Sequence, residues 1–264
     1  MYMICALVGI LTVLLFTYKL AKKRGLDEVE MLYMMLFAFG GVLIFSHILY
    51  AVTVWDQVWA VLTHPEIIKS FDDLTYVLGI IFGGSVFYGG LIGAIIVFFV
   101  YTKAKKLNFG DYSDIGAMAI PLFHFFGRIG CFLSGCCYGV KWEYGVTYRH
   151  SIVESANGVP RFPVQFVEAA LNLLLFFLLY YLYSKGKANR KILALYLLIY
   201  PTYRFILEFF RDDTYRGFVG FLSTSQFISA VLFAVSAIWL IVSCIRDKKA
   251  KKQLIDISIK NNYN

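Results

Sequence analysis

Hydrophobic residues in this chain occur in long runs, and polar residues gather in the segments between the runs. A helix needs roughly 20 apolar residues to cross a hydrocarbon core about 30 Å thick. Runs of about that length lie at about 2–20, 29–51, 77–101, 112–131, 165–184, 191–210 and 221–245. The pattern predicts an all-α polytopic membrane bundle of about seven transmembrane helices. We expect a single integral-membrane domain over 1–264, with a basic tail at 246–264.

Composition supports the same class of protein. The 264 residues are 59% hydrophobic and 16% charged, with a mean hydropathy of +0.68, whereas soluble domains carry about 25% charged residues. Glycines and Pro121 interrupt the third and fourth runs. The first run resembles a signal-peptide core. Its lysines follow the apolar run instead of preceding it, and no small-residue cleavage site is evident, so we expect a retained anchor.

The net charge of +8 is distributed asymmetrically. Most of the 25 basic residues lie after the first, third and fifth runs and in the tail, which are alternate ends of consecutive spans. Under the positive-inside rule these segments are cytoplasmic, so we expect the N-terminus outside and the C-terminus in the cytoplasm. The positive charge therefore indicates topology and does not predict a nucleic-acid partner, because no basic patch interleaved with aromatic residues is present.

A few ionisable residues interrupt the apolar runs, although a charge at mid-bilayer costs about 2.5–3.5 kcal/mol even on lenient scales. These residues are Arg128, Glu168, Arg204 and Glu208. Arg211 continues the helical face of Arg204 and Glu208, and Gln165 and Asn172 share a face with Glu168. Two helices are therefore predicted to present polar stripes to each other or to a wet cavity.

Two interpretations of these charges remain open. Structural ion pairs, such as Arg204 with Glu208, would hold the bundle together. However, the arginines at 128, 204 and 211 outnumber the glutamates at 168 and 208 near the outer ends of the spans, and the surplus positive charge needs an anion. Guanidinium groups bind phosphate through paired hydrogen bonds, so a phospholipid headgroup is the natural complement at that depth.

The segment "GGSVFYGGLIG" at 83–93 has doubled glycines on both sides of Tyr88. Gly89 and Gly93 have the small-residue spacing of closely packed membrane helices. Doubled glycines also break a helix and let backbone N–H groups approach a ligand. Helix packing and cavity lining are both consistent with this segment.

Three of the five cysteines lie within "GRIGCFLSGCCYG" at 127–139, at Cys131, Cys136 and Cys137. The C-x4-C-C spacing lacks the paired C-x2-C of zinc sites, so we expect no metal and no cofactor. Three interpretations remain. The cysteines are small apolar packing residues, or they form a disulfide on an oxidising outer face, or Cys136 or Cys131 is a functional thiolate beside Arg128.

Five segments occur together in a characteristic order. They are "GGSVFYGGLIG" (83–93), "HFFGRIGCFLSGCCYG" (124–139), "FPVQFVEAALN" (162–172), "YRFILEFFRDD" (203–213) and "LSTSQFIS" (222–229). Over about residues 80–235 they resemble the prolipoprotein diacylglyceryl transferase family. The resemblance implies a multi-pass enzyme of the bacterial cytoplasmic (inner) membrane whose active site faces the outer leaflet. Such an enzyme transfers the diacylglyceryl group of phosphatidylglycerol to the lipobox cysteine thiol of a secreted prolipoprotein and releases glycerol 1-phosphate.

The resemblance also implies roles for individual residues. Arg204 and Glu208 match the essential arginine and the glutamate of the penultimate segment, and we expect them to act in catalysis. Arg128 matches the arginine that binds the phosphatidylglycerol headgroup. Further substrate-binding positions implied by the resemblance are Gly130, Ser134, Gly135, Gln165, Glu168 and Arg211.

Three positions depart from the family pattern. Tyr88 stands where the family has a histidine before the double glycine, Cys131 where it has an asparagine, and Cys136 where it has a glutamate. We expect Tyr88 to take part in catalysis by bonding to the phosphate or shuttling a proton, although an unperturbed tyrosine pKa near 10 suits a base poorly at neutral pH. The alternatives are a different extracytoplasmic acceptor for the same lipid donor, and a non-catalytic lipid-binding or transport protein.

Overall fold

The computed structural model describes residues 1–64, 66, 68–84, 86–212 and 218–262. These residues form nine α-helices, which are α1 (Tyr2–Lys23), α2 (Glu28–Thr53), α3 (Trp55–Thr63), α4 (Phe71–Phe82), α5 (Phe87–Ala104), α6 (Phe109–Ser134), α7 (Val164–Ser184), α8 (Ile192–Leu207) and α9 (Thr224–Asn262). Within these ranges, seven helices are long and apolar enough to cross a membrane: α1, α2, α5, α6, α7, α9, and α8 extended to Phe210. The prediction of an all-α polytopic bundle with about seven spans is confirmed.

The predicted third span, 77–101, is divided between two helices. α4 and α5 are separate, and Gly84 lies between them. A Cβ added to Gly84 would lie 2.3 Å from the Tyr50 ring. The Gly84 carbonyl oxygen accepts a hydrogen bond from His47 Nδ1 at 2.8 Å. The chain therefore breaks where only glycine fits against α2, and the membrane-length helix α5 begins later than predicted.

The chain forms two compact units, residues 1–13 with 114–264, and residues 14–113. In the smaller unit, residues 14–113, α2 packs along α5. A Cβ at Gly93 would lie 2.4 Å from the Gly41 carbonyl oxygen, and one at Gly89 would lie 2.4 Å from the Phe45 carbonyl oxygen. Gly89 and Gly93 thus serve helix packing, one of the two interpretations of their segment. The expectation of a single membrane domain stays a prediction.

In the larger unit, residues 1–13 with 114–264, α8 packs against α7 and against α9. Tyr196 and Tyr200 of α8 are fully buried, and their rings stack at 5.4 Å. Asp114, near the start of α6, accepts a hydrogen bond from the backbone N–H of Ile192 at 2.9 Å. This carboxylate satisfies a donor of the first turn of α8, which otherwise lacks a partner within the helix. It thereby joins the beginnings of α6 and α8.

A short hairpin precedes the last span. It consists of β2 (Phe218–Val219) and β3 (Leu222–Ser223), which pair antiparallel. Ser223 Oγ accepts a hydrogen bond from Gln226 N at 3.2 Å, and Gln226 Oε1 accepts one from Ser223 N at 3.0 Å. These reciprocal bonds form a capping box that determines where α9 begins.

The connection between α6 and α7 contains β1 (Lys141–Val146) and a single 3-10 turn at Glu154–Ala156. The backbone N–H of Val140 donates to the Phe210 carbonyl oxygen at 3.0 Å. The N–H of Asp212 donates to the Tyr138 carbonyl oxygen at 3.2 Å. The start of the connection is therefore held against the segment that follows α8, where the charged residues of the sequence analysis lie.

Candidate active site

Charged side chains from α6, α7 and the end of α8 meet in the larger unit. Arg128 Nε lies 3.0 Å from Glu168 Oε2, and Arg204 Nη1 lies 3.8 Å from the same oxygen. Arg204 Nη2 lies 2.7 Å from Glu208 Oε2. Arg211 Nη1 lies 3.9 Å from that second oxygen. These five side chains form one ion-pair network, so the polar stripes predicted on separate spans do face each other.

The members of this network differ in sign and in exposure. Among the five side chains that the structure describes in this network, three guanidinium groups accompany two carboxylates, a formal surplus of one positive charge within that set. The exposed fraction of the side chain is 13% for Arg128 and 10% for Arg211, but 5% for Arg204 and 2% for each glutamate. Arg128 and Arg211 are therefore its most accessible members.

Arg204 Nη1 is buried and has no hydrogen-bond acceptor among the residues that the structure describes. Its separation of 3.8 Å from Glu168 Oε2 is an ion pair but too long for a hydrogen bond. A buried donor without an acceptor costs about 1–3 kcal/mol. An anion bound beside Arg204 would supply the acceptor and would also offset the surplus charge.

The end of α8 determines how Arg211 reaches the network. The helix gives way to a single 3-10 turn at Glu208–Phe210, and Arg211 follows in an extended conformation with φ −94° and ψ 146°. Arg204 and Glu208 thus share a helical face as predicted, at i and i+4. Arg211 contacts Glu208 from outside the helix, because the backbone has already turned away.

Polar residues of α7 connect the network to its surroundings. Gln165 Nε2 donates a hydrogen bond to the Cys136 carbonyl oxygen at 2.7 Å. Asn172 Nδ2 donates to the Glu168 carbonyl oxygen at 2.8 Å, and Asn172 Oδ1 accepts from Tyr203 Oη at 3.0 Å. The predicted α7 stripe is therefore buried, and it contacts both α8 and the connection after α6.

Three substrate-binding candidates lie at the end of α6. A Cβ on Gly130 would lie 3.0 Å from Tyr2 Cδ2, so this glycine lets α1 pack closely. The Ser134 carbonyl oxygen accepts a backbone hydrogen bond from the α6–α7 connection at 3.1 Å. Gly135 has φ +72°, and its carbonyl oxygen accepts from Ser151 Oγ at 3.0 Å. These contacts shape the connection, and the substrate-binding role of the three residues stays a prediction.

Cys131, Cys136 and Cys137 lie together, with their Sγ atoms within 4.8 Å of one another, and all three are free thiols. Hydrogen bonds with the other two thiols lower the pKa of Cys137, and Arg128 and Arg211 act in the same direction against burial. The hydrogen bond to Cys131 lowers the pKa of Cys136, but the bond to Cys137 and burial outweigh it and raise that pKa to about 11. Of the two thiols in the connection, Cys137 has the lowered pKa. The functional thiolate expected at Cys136 or Cys131 stays a prediction.

Arg161 is a buried charge that the sequence analysis missed. Its Nη1 donates to Asp212 Oδ2 at 2.8 Å and to the Gly139 carbonyl oxygen at 3.2 Å, and its Nη2 donates to the Ser155 carbonyl oxygen at 2.8 Å. The guanidinium also lies 4.1 Å from the centre of the Tyr138 ring. Arg161 therefore holds the α6–α7 connection against Asp212, the residue that follows Arg211. Its sequence position gives no signal of burial, because Arg161 lies between two apolar runs, where a charge is ordinary.

Tyr88 belongs to the smaller unit. It is the second residue of α5 and is buried, and its ring contacts the Phe87 ring edge-on at 5.6 Å. Its expected catalytic role stays a prediction.

Comparison with known proteins places this arrangement in a family. The family model described as "Prolipoprotein diacylglyceryl transferase" matches residues 1–242. A phosphatidylglycerol–prolipoprotein diacylglyceryl transferase of Clostridium tetani is 34% identical over 223 residues, which is 84% of this chain and 84% of that protein. A second, from Clostridium perfringens, is 33% identical over 224 residues, 84% of this chain and 82% of that protein. The chain therefore belongs to the prolipoprotein diacylglyceryl transferase family, a family of bacterial membrane enzymes.

Proposed function

We propose that this protein transfers the diacylglyceryl group of phosphatidylglycerol to the lipobox cysteine thiol of a secreted prolipoprotein, releasing glycerol 1-phosphate. The names of the relatives support both substrates. The observation that carries the proposal is the buried Arg204 Nη1, which lacks a hydrogen-bond acceptor within the described part of the chain and lies in a network of net positive charge. The phosphate diester of the lipid is an anion that supplies this acceptor.

The three arginines are proposed to bind the phosphate from different sides. Arg128 and Arg211 are the more accessible, so they meet the headgroup first, and Arg204 binds it from the deeper side. Guanidinium groups suit this task because their planar donors pair with two phosphate oxygens at once. Headgroup binding is therefore the role proposed for Arg128 and Arg211, and Arg204 joins binding to catalysis.

The two glutamates hold the arginines in place. Glu208 lies 2.7 Å from Arg204 Nη2 and orients that side chain, so we assign it to catalysis with Arg204. Glu168 lies 3.0 Å from Arg128 Nε and keeps a second guanidinium positioned. Donors that are already oriented in a buried site stabilise the charge that develops on a leaving group without having to reorganise.

The proposed chemistry is a substitution at carbon. The lipobox thiol sulfur attacks the glyceryl carbon that carries the phosphate oxygen, and an S–C bond forms as the C–O bond breaks. Both electrons of the C–O bond leave with the oxygen of glycerol 1-phosphate, and the thiol proton passes to that phosphate or to solvent. Tyr88 is proposed to contact the phosphate or relay the proton, since a phenolic hydroxyl group can both donate and accept a hydrogen bond.

The remaining proposed binding residues shape the wall of the site. Gln165 fixes the Cys136 carbonyl oxygen at 2.7 Å and thereby holds the α6–α7 connection against α7. Gly130, Ser134 and Gly135 are proposed to bind substrate through their backbone, since their local contacts are made by main-chain atoms and close packing.

The site is proposed to face the outer leaflet of the cytoplasmic (inner) membrane. Lysines in the last turns of α1 and α5 and in the tail mark the ends expected in the cytoplasm. This orientation places the N-terminus outside and the C-terminus inside. Arg128 and Arg211 then lie at the end of the bundle from which an exported preprotein approaches.

Purified protein in detergent, given labelled phosphatidylglycerol and a lipobox peptide, tests the proposal. We expect a thioether-linked diacylglyceryl peptide and an equal amount of glycerol 1-phosphate. A peptide with serine in place of the lipobox cysteine is the matched control and should remain unmodified. Glycerol 1-phosphate released without a modified peptide would assign a different acceptor, and product formation that survives Arg204→Ala would contradict the proposed site.

A further inference from the structure

Cys131, Cys136 and Cys137, hereafter the thiol cluster, hold their three Sγ atoms within 4.8 Å of one another. We propose that the thiol cluster binds one thiolate-seeking d10 cation, Zn(II) or Cu(I). The proposal does not depend on the transfer reaction, which needs no metal in the scheme above.

The backbone brings the cluster together. Cys131 lies in the last turn of α6. After the helix, Gly135 has φ +72° and Cys137 has φ +56°, so the chain passes twice through the left-handed region. That region costs a non-glycine residue roughly 1–3 kcal/mol, so Cys137 stays in it only because its surroundings hold it there. Gln165 holds the turn through the Cys136 carbonyl oxygen at 2.7 Å. A C-x4-C-C segment thereby surrounds one point, which its linear spacing alone does not indicate.

The separation of the sulfurs fits a metal ion. Zn–S bonds are about 2.3 Å long, so thiolates around one ion lie about 3.8–4.0 Å apart. The limit of 4.8 Å then requires a contraction of about 1 Å at most. Cys131 is buried and the two other cysteines are partly buried, so a bound ion would be shielded on one side and reachable on the other.

The charges around the cluster suit a thiolate complex. Metal binding converts the three thiols to thiolates and releases their protons to solvent, which leaves an excess of negative charge with Zn(II) and a larger one with Cu(I). Arg128 and Arg211 act electrostatically on Cys137 and offset that excess. Sulfur ligands select Zn(II) and Cu(I) over Mg²⁺ and Ca²⁺, which prefer oxygen.

A bound ion would have a structural consequence beside the ion-pair network. It would link the end of α6, which carries Arg128, to the connection that carries Cys136 and Cys137. The competing outcome is a disulfide between two of the three thiols, which would remove two ligands and abolish metal binding.

Metal loading of the full-length protein tests the proposal. The protein is purified in detergent without oxygen, kept reduced with a non-thiol reductant, and loaded with Zn(II) in one sample and Cu(I) in another. After gel filtration we expect one ion per chain in at least one of the two samples, and their comparison identifies the cation. Cd(II) serves as a probe, and we expect it to give a thiolate-to-metal charge-transfer band.

Cysteine variants locate the site. Loss of an outer-shell partner alone lowers metal affinity about 10–100-fold. Cys131→Ser and Cys137→Ser each remove a proposed ligand, so each should lower metal affinity at least about tenfold. Cys244→Ser removes an exposed cysteine of α9 outside the cluster and should retain the ion. Equal metal retention in Cys137→Ser, or the absence of the Cd(II) band in wild-type protein, would overturn the proposal.

A second measurement avoids dependence on variant folding. In the wild-type protein, loaded metal should protect the three cluster cysteines from alkylation, as mapped by mass spectrometry, and leave the reactivity of Cys244 unchanged. Protection of none of the three, or a disulfide between two of them in the reduced preparation, would also overturn the proposal. Neither result would change the expected transferase activity, which is measured separately with the lipobox peptide.

Discussion

Arg204 Nη2 lies 2.7 Å from Glu208 Oε2, one helical turn further along the chain. This ion pair anchors one side of the guanidinium group. Nη1 lies 3.8 Å from Glu168 and has no hydrogen-bond acceptor among the described residues. Arg204 is therefore fixed in direction while one buried donor remains available, which is the arrangement that an anionic substrate requires.

Replacing Arg204 with lysine tests whether one side chain must both pair with Glu208 and donate to the phosphate. A lysine ammonium is a single point donor, so it cannot both pair with Glu208 and present a second oriented donor to the phosphate. We expect Arg204→Lys to fold and to reduce kcat/KM for the lipobox peptide about 100-fold or more. Arg149→Lys, at an exposed arginine of the α6–α7 connection, is the control and should keep wild-type kinetics. Undiminished kcat/KM in Arg204→Lys would rule out the proposed role.

Removing the charge of Glu168 should lower the stability of the protein as well as its activity. Its carboxylate lies 3.0 Å from Arg128 Nε and 3.8 Å from Arg204 Nη1. Glu168→Gln removes the charge and leaves two buried guanidinium groups less compensated, and breaking a buried ion pair in this way costs about 3–5 kcal/mol. We expect a clear fall in the apparent Tm of the purified protein.

A double variant separates this charge effect from a change of shape. Arg128→Gln combined with Glu168→Gln removes one charge of each sign, so it should recover part of the Tm lost in Glu168→Gln. The double variant should remain inactive, since Arg128 is proposed to bind the headgroup. If the double variant instead lost as much Tm as the two single variants combined, the direct pairing of Arg128 with Glu168 would be contradicted.

Four of the five charges of the network could be predicted from the sequence because each interrupts an apolar run and is costly there. Their geometry could not. Arg211 reaches Glu208 only because the helix gives way to a 3-10 turn at Glu208–Phe210. Arg161 lies between two runs, where a charge is ordinary, so its burial becomes evident only when the chain folds back over it.

Glycine and cysteine positions show the same limit. Doubled glycines at 83–84 and 89–90 indicated close packing or a break, and the structure has a break at Gly84 and close packing at Gly89. The choice depends on which atoms of α2 lie opposite each position. The cysteines come together through the positive φ of Gly135 and Cys137, a backbone property that linear spacing does not encode.

Arg161 is expected to hold the α6–α7 connection in position. Arg161→Ala removes three hydrogen bonds to the Asp212, Gly139 and Ser155 oxygens. Hydrogen bonds involving charged groups contribute about 1.5–3 kcal/mol each. Asp212 is half exposed and is discounted, so the two bonds to backbone carbonyl oxygens lead us to expect a fall of about 3 kcal/mol in the free energy of unfolding. Limited proteolysis should cleave the α6–α7 connection faster than in wild-type protein. Arg149→Ala removes an exposed arginine from the same connection and should not change the cleavage rate.

Gly93 and Gly40 offer a matched test of the α2–α5 packing in the smaller unit. A Cβ at Gly93 would lie 2.4 Å from the Gly41 carbonyl oxygen, whereas one at Gly40 would meet nothing within 4 Å. Gly93→Ala therefore forces the two backbones apart, and we expect a destabilisation of about 1–3 kcal/mol. Gly40→Ala should be neutral or slightly stabilising, because alanine is the better helix former by about 1 kcal/mol. Unfolding of both variants in mixed detergent measures the difference, and equal stabilities would show that α2 and α5 do not meet through these glycines.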